Sequence, residues 1–93
     1  NTSPNIDKIA EEGTSFLNAY STLPRSDPSM ASMLTGLYPH SHGVRMVWGN
    51  KIPQTVTLLS EILKSHGYKT AFIRSGGIHH DGSERGFDNY DLL

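Results

Sequence analysis

The chain has 93 residues, a formal net charge of −1, 35% hydrophobic residues and no cysteine. That length holds one domain at most and makes a marginal core, because a domain of about this size hides only roughly 60–65% of its unfolded surface. The balanced charge, with no basic block, points to no nucleic-acid partner. The missing cysteines exclude a disulfide framework and a zinc–thiolate site, and no apolar run is long enough to span a membrane.

The first residues lack the basic and apolar regions of a signal peptide, and Asn1-Thr2-Ser3 matches a glycosylation acceptor pattern only as a short string. "SPNIDKIAEEG" predicts a helix, with Ser3 as N-cap, Pro4 at the first helical position and Ile6, Ile9 and Ala10 on one face. Gly13 is expected to close it in a left-handed conformation. "TSFLNAYST" predicts a strand with Phe16 and Tyr20 on one side and Leu17 and Ala19 on the other.

"SDPSMASMLTG" predicts a short helix with Asp27 as N-cap, Pro28 in the first turn, Met30, Met33 and Leu34 sharing a face, and Gly36 at the end. Ser26 stands immediately before it. Backbone N–H groups at a helix start attract anions, and a hydroxyl placed there can attack a tetrahedral anionic ester whose oxygens they hold. The plainer reading is that Ser26 and Asp27 only cap the helix, and local chemistry leaves both open.

"LYPHSHGVRMVWGNKIPQ" reads as a long irregular connection. Its His40 and His42, and the later His79-His80-Asp81, could bind metal or relay protons, or be solvated loop groups. Arg25 and Arg45 could each hold an anion or sit in surface ion pairs. Trp48 could line a pocket or cover the core. "TVTLLSEILKSHG" predicts the clearest helix, with an apolar stripe of Leu58, Leu59, Ile62 and Leu63, a Glu61–Lys64 pair outside and Gly67 as its stop. His66 there complements the helix dipole. "YKTAFIR" predicts a strand, and the Gly-rich "SGGIHHDGSERGFDNYDLL" a loop with a few packed aromatics. This alternation predicts an α/β fold with a largely parallel sheet, and two strands are too few to complete one.

Four segments, in order, carry a family likeness: "SPNIDKIAEEGTSFLNAYST", "SDPSMASMLTGLYPHSHGV", "TVTLLSEILKSHGYKTAFI" and "RGFDNYD". Together they resemble the N-terminal part of the sulfatase family, in the alkaline-phosphatase-like superfamily. The resemblance implies part of an alkaline-phosphatase-like domain, a largely parallel sheet flanked by helices, with residues 1–93 an incomplete N-terminal portion of a sulfatase-like catalytic domain. It puts Ser26 at the nucleophile position, as catalytic residue and metal ligand. In sulfatases that residue is oxidised to formylglycine, whose hydrate attacks a sulfate ester while bound to a divalent cation, commonly Ca2+. The implied partner is a small-molecule or glycan sulfate or phosphate ester.

Two departures from the family pattern stand out. Met30 falls where the signature has arginine, and Arg74-Ser75-Gly76-Gly77 falls where the family has a Gly-Lys-Trp-His segment whose Lys and His contact the sulfate. His79 is the candidate to replace that substrate contact after a small shift. Some sulfatase-like members also lack the arginine and carry a plain hydroxyl residue as nucleophile. A phosphoester or phosphonate hydrolase or transferase using unmodified Ser26, or a non-catalytic relative, therefore stand as alternatives. The family's paired aspartates and later metal ligands fall outside these residues.

Overall fold

A computed structural model describes residues 2–47, 49–75 and 81–92 of the chain. His79 and Trp48 lie outside the described residues. The order of elements is α1 (Pro4–Glu12), α2 (Ser26–Thr35), α3 (Pro39–His42), α4 (Leu59–Ser65), β1 (Ala71–Arg74) and β2 (Asn89–Leu92). β1 and β2 pair in parallel, in the register Ala71↔Asn89 to Arg74↔Leu92. Helices followed by a parallel pair make the fold α/β, as the element pattern predicts.

α1 starts where Ser3 and Pro4 predict, with the Ser3 hydroxyl donating to the Asp7 carboxylate at 3.1 Å. Gly13 does end it, but at φ −125° and not in the left-handed region. The helix is amphipathic in sequence, yet it buries no residue among those described, and Ile6 and Ile9 stay exposed. Residues 14–20 form no strand: Phe16, Leu17 and Tyr20 are open to solvent, with a turn at 17–18. A strand needs ladder partners, and the described residues offer this segment none.

α2 opens earlier than the sequence suggests. Arg25 is its N-cap, so Ser26, Asp27 and Pro28 fill its first turn. Pro28 still costs no hydrogen bond, because the N–H it lacks belongs to the set that has no partner inside a helix. Gly36 closes α2 at φ +69°, and its N–H bonds the Ser32 carbonyl at 2.8 Å. The buried face is Pro28, Ala31 and Ser32, whereas Met33 is exposed. That face meets Val44, Ile52 and Leu58, and Leu34 and Val56 pack against the same cluster. Covering a leucine such as Leu58, which is 0% exposed, stabilises by about 2 kcal/mol.

α4 keeps only part of its expected stripe. Leu58 is the N-cap and fully buried, while Leu59 and Ile62 are exposed. Glu61 does not pair with Lys64. Its carboxylate turns back to accept the Leu58 N–H at 2.8 Å, and Lys64 reaches Asp88 at 2.8 Å. β2 lies inside the stretch expected to be loop. The aromatic packing expected there is present, since Phe72 of β1 stacks on Tyr90 of β2 at 5.2 Å and meets Phe87 at 5.2 Å.

Arg85 joins this half of the molecule. Its guanidinium donates to the carbonyls of Gly82 and Val56 at 3.2 and 2.9 Å and to the Gln54 side chain at 3.3 Å, and it lies 3.8 Å from Glu61. A planar fork of five donors suits this spread of acceptors.

Candidate active site at the start of helix α2

The segment before α2 is a tight turn. Arg25 N–H donates to the Leu23 carbonyl at 2.9 Å, and the Ser21 hydroxyl donates to the same carbonyl at 2.7 Å. The turn delivers the chain into α2 with Ser26 as the first helical residue, exposed. Ser26 lines a depression of about 340 Å³ together with Ser21, Leu23, Pro24, Arg25 and Ser29. The walls therefore carry three hydroxyls and one guanidinium-bearing residue, which suits an anion better than an apolar ligand.

The helix end adds less than a generic N-terminus would. Arg25 N–H is taken by Leu23, Pro28 has no N–H, and Ser29 N–H donates to the Arg25 carbonyl at 3.1 Å. Helix geometry leaves the Ser26 N–H without an acceptor inside α2. Met30 is not among the residues lining the depression, and neither is Arg45, whose N–H donates to Asn50 at 3.3 Å.

The histidines separate sharply. His40 is exposed and stacks on Tyr38 at 5.9 Å. His66 follows the dipole reading in position, and its Nδ1–H donates to the Ile62 carbonyl at 2.8 Å in the last turn of α4. His42, which the sequence presents as a loop histidine, is 0% exposed. Val44 N–H donates to its Nδ1 at 3.1 Å, which assigns the ring proton to Nε2. Nε2–H then donates to the Ser32 hydroxyl at 3.0 Å, and Ser32 also accepts from the Thr22 hydroxyl at 2.9 Å. Burial holds the His42 pKa below the ordinary 6.5, and His40 pushes the same way.

Among the described residues no three His, Cys, Asp or Glu side chains are grouped to hold a metal ion. Ser26 could give a cation one oxygen, and these residues alone do not form a metal centre. The hydroxyls of Ser21 and Ser29, which line the depression, and of Thr22 and Ser32 next to them are the features sequence reasoning misses. Their one-turn spacing on α2, Ser29 to Ser32, is the signal that could have found them.

The Sulfatase family model matches residues 1–92. Arylsulfatase G of Mus musculus is 38% identical over 92% of this chain and 18% of its own length. A Delta 4,5-hexuronate-2-O-sulfatase of Bacteroides thetaiotaomicron is 35% identical over 88% of this chain and 18% of its own length. The crystal structure of Ps i-CgsB in complex with k-i-k-neocarrahexaose superimposes with a TM-score of 0.74 at 35% identity, over 95% of this chain and 22% of that one. The chain thus spans less than a fifth, 18%, of the length of the curated relatives it matches.

Proposed function

Because the chain belongs to the sulfatase family, we propose that it is part of the catalytic domain of a metal-dependent sulfate-ester hydrolase, with Ser26 at the nucleophile position. The observation that carries this reading is the placement of Ser26: an exposed side chain on the first residue of α2, at a depression walled by hydroxyls and Arg25. A sulfate ester held there would present its oxygens to Arg25 and the Ser26 N–H. An oxygen on residue 26 would attack sulfur in line with the leaving alcohol.

The hexuronate sulfatase and the neocarrahexaose complex among its relatives support a carbohydrate as the alcohol part. A divalent cation, calcium by family resemblance, would supply charge neutralisation. Its carboxylate ligands would have to come from residues other than those described.

The test is Ser26→Ala in the full-length protein, assayed on aryl sulfates, aryl phosphates and sulfated oligosaccharides with calcium, manganese or zinc. Turnover should fall by about three orders of magnitude or more; unchanged turnover would overturn the role given to Ser26. One feature favours a second reading, in which unmodified Ser26 acts on a phosphoester. Met30 offers a thioether where the family signature has a guanidinium to steady a formylglycine hydrate. The intact mass of the peptide carrying Ser26 separates the two. A loss of about two hydrogens supports formylglycine, and the unmodified mass supports the phosphoester reading.

A further inference from the structure

The 21–25 turn is fastened to the flank of α2 by two side-chain bonds one helical turn apart. The Ser21 and Ser29 hydroxyls meet at 3.2 Å, and Thr22 donates to Ser32 at 2.9 Å. Two depressions lie on either side of this seam. One, of about 340 Å³, holds Ser26 and Arg25, and the other, of about 390 Å³, is lined by Tyr20, Thr22, Ser32 and Met33; both share Ser21 and Ser29. Ser32 is buried and is fixed from behind by His42, whose far nitrogen is fixed in turn by Val44 N–H. An unbroken line of bonds therefore runs from the core to the turn that aims Ser26.

We propose that Thr22, Ser32 and neutral His42 form a positioning chain, which clamps the 21–25 turn against α2 and so holds the residue-26 side chain at its depression. The inference rests on the hydrolase reading only for its kinetic consequence; the clamp itself is independent of it. His42 is a positioning residue, since it reaches Ser26 only through Ser32 and Thr22.

The chain has one weak point. A second proton on His42 must go to Nδ1, where it would face Val44 N–H, so protonation breaks the anchor. Among the described residues of the elements packed against it, no carboxylate stands ready to compensate. The 21–25 turn carries only Arg25, α2 only Asp27 in its first turn, α3 only His40, and Arg45 follows Val44. With the folded pKa depressed, the clamp is intact above about pH 6.5 and is lost as the pH falls through the lower folded value.

The experiment uses the full-length protein and its Thr22→Val, Thr22→Ser and His42→Gln variants. Hydrogen exchange at pH 7, which needs no turnover, should rise several-fold in residues 21–26 of Thr22→Val and return to the parental rate in Thr22→Ser. On an aryl sulfate, Thr22→Val should lose about 10- to 100-fold in kcat with little change in KM. His42→Gln keeps a donor toward Ser32 but does not titrate, so the acid limb of the parental pH profile should flatten.

Unchanged exchange in Thr22→Val, or a fall in kcat that Thr22→Ser does not restore, overturns the clamp. An acid limb that persists unaltered in His42→Gln overturns the role of His42. Raised exchange in Thr22→Val, alongside a parent that hydrolyses no ester, would sink the hydrolase reading and still support the clamp.

Discussion

Among the described residues, Asp88 is a carboxylate whose chemistry the fold alters strongly. Lys64 Nζ sits 2.8 Å from one carboxylate oxygen, and Thr70 donates to the other through its N–H at 3.1 Å and its hydroxyl at 3.2 Å. Lys64, first, and then the Thr70 N–H lower its pKa from 3.8 to about 2. A depressed carboxylate stabilises the folded form above its unfolded value, and here that contribution drains away as the pH falls from 3.8 toward about 2. The carboxyl 13C signal of Asp88 should titrate near pH 2. In Lys64→Met the midpoint should climb toward 3.8 without reaching it, because the Thr70 N–H remains. A parental midpoint at 3.8 would contradict the ion pair's role. None of this was legible in sequence, where Lys64 sits one turn from Glu61 and the helical rule pairs the two. His42 misleads in the same way: between Ser41 and Gly43 it reads as polar loop, and its two ring nitrogens are taken up inside the fold by Ser32 and Val44.

At the scale of elements, β2 reaches its place by passing under the start of α4. Gly86 adopts φ +78°, and a Cβ built there would lie 2.4 Å from Glu61 N and 2.6 Å from the Ser60 carbonyl carbon. Both objections are to backbone, so no side chain can move aside to relieve them. Gly86→Ala is expected to destabilise the protein by more than about 2 kcal/mol, through strain at positive φ added to the displacement of α4. A denaturant-unfolding midpoint within error of the parent would refute the close approach. Helices α1, α2 and α4 and strand β1 were readable, because each pairs an apolar spacing with a Pro, Ser or Gly punctuator. β2 was not. "NYDL" sits in a glycine-rich polar run, and its register is set at a distance, by Thr70 accepting the Asp88 and Asn89 N–H groups at 2.9 and 3.1 Å. Residues 14–20 failed in the opposite sense, since alternation signals a strand only where a ladder is there to receive it. At the site, the start of α2 was legible to within two residues, whereas the hydroxyl seam behind Ser26 joins residues eight and ten apart, and only the Ser29–Ser32 spacing on α2 hints at it.

The whole molecule is looser than its length implies. Its radius of gyration is 15.1 Å, against roughly 12 Å for a compact domain of this size. The excess comes from the N-terminal arm: Ile6 at 69%, Ile9 at 71% and Leu17 at 91% exposure touch little, and α1 packs on no other element among the described residues. Among the described residues the core proper is Ala31, Val44, Ile52 and Leu58. A two-stranded sheet adds little independent stability. The polar clasps around Thr70 and Arg85 hold α4, β1 and β2 in register without enlarging that core. So small a core, with α1 unpacked, leaves the 93 residues short of stability on their own. Prepared as an isolated chain, they should show no cooperative thermal transition, bind a hydrophobic dye, and exchange the amides of 4–20 at near-unfolded rates. A sharp unfolding transition in the isolated monomer would contradict this, because it would require that small cluster to outweigh the entropy of an arm that buries almost nothing.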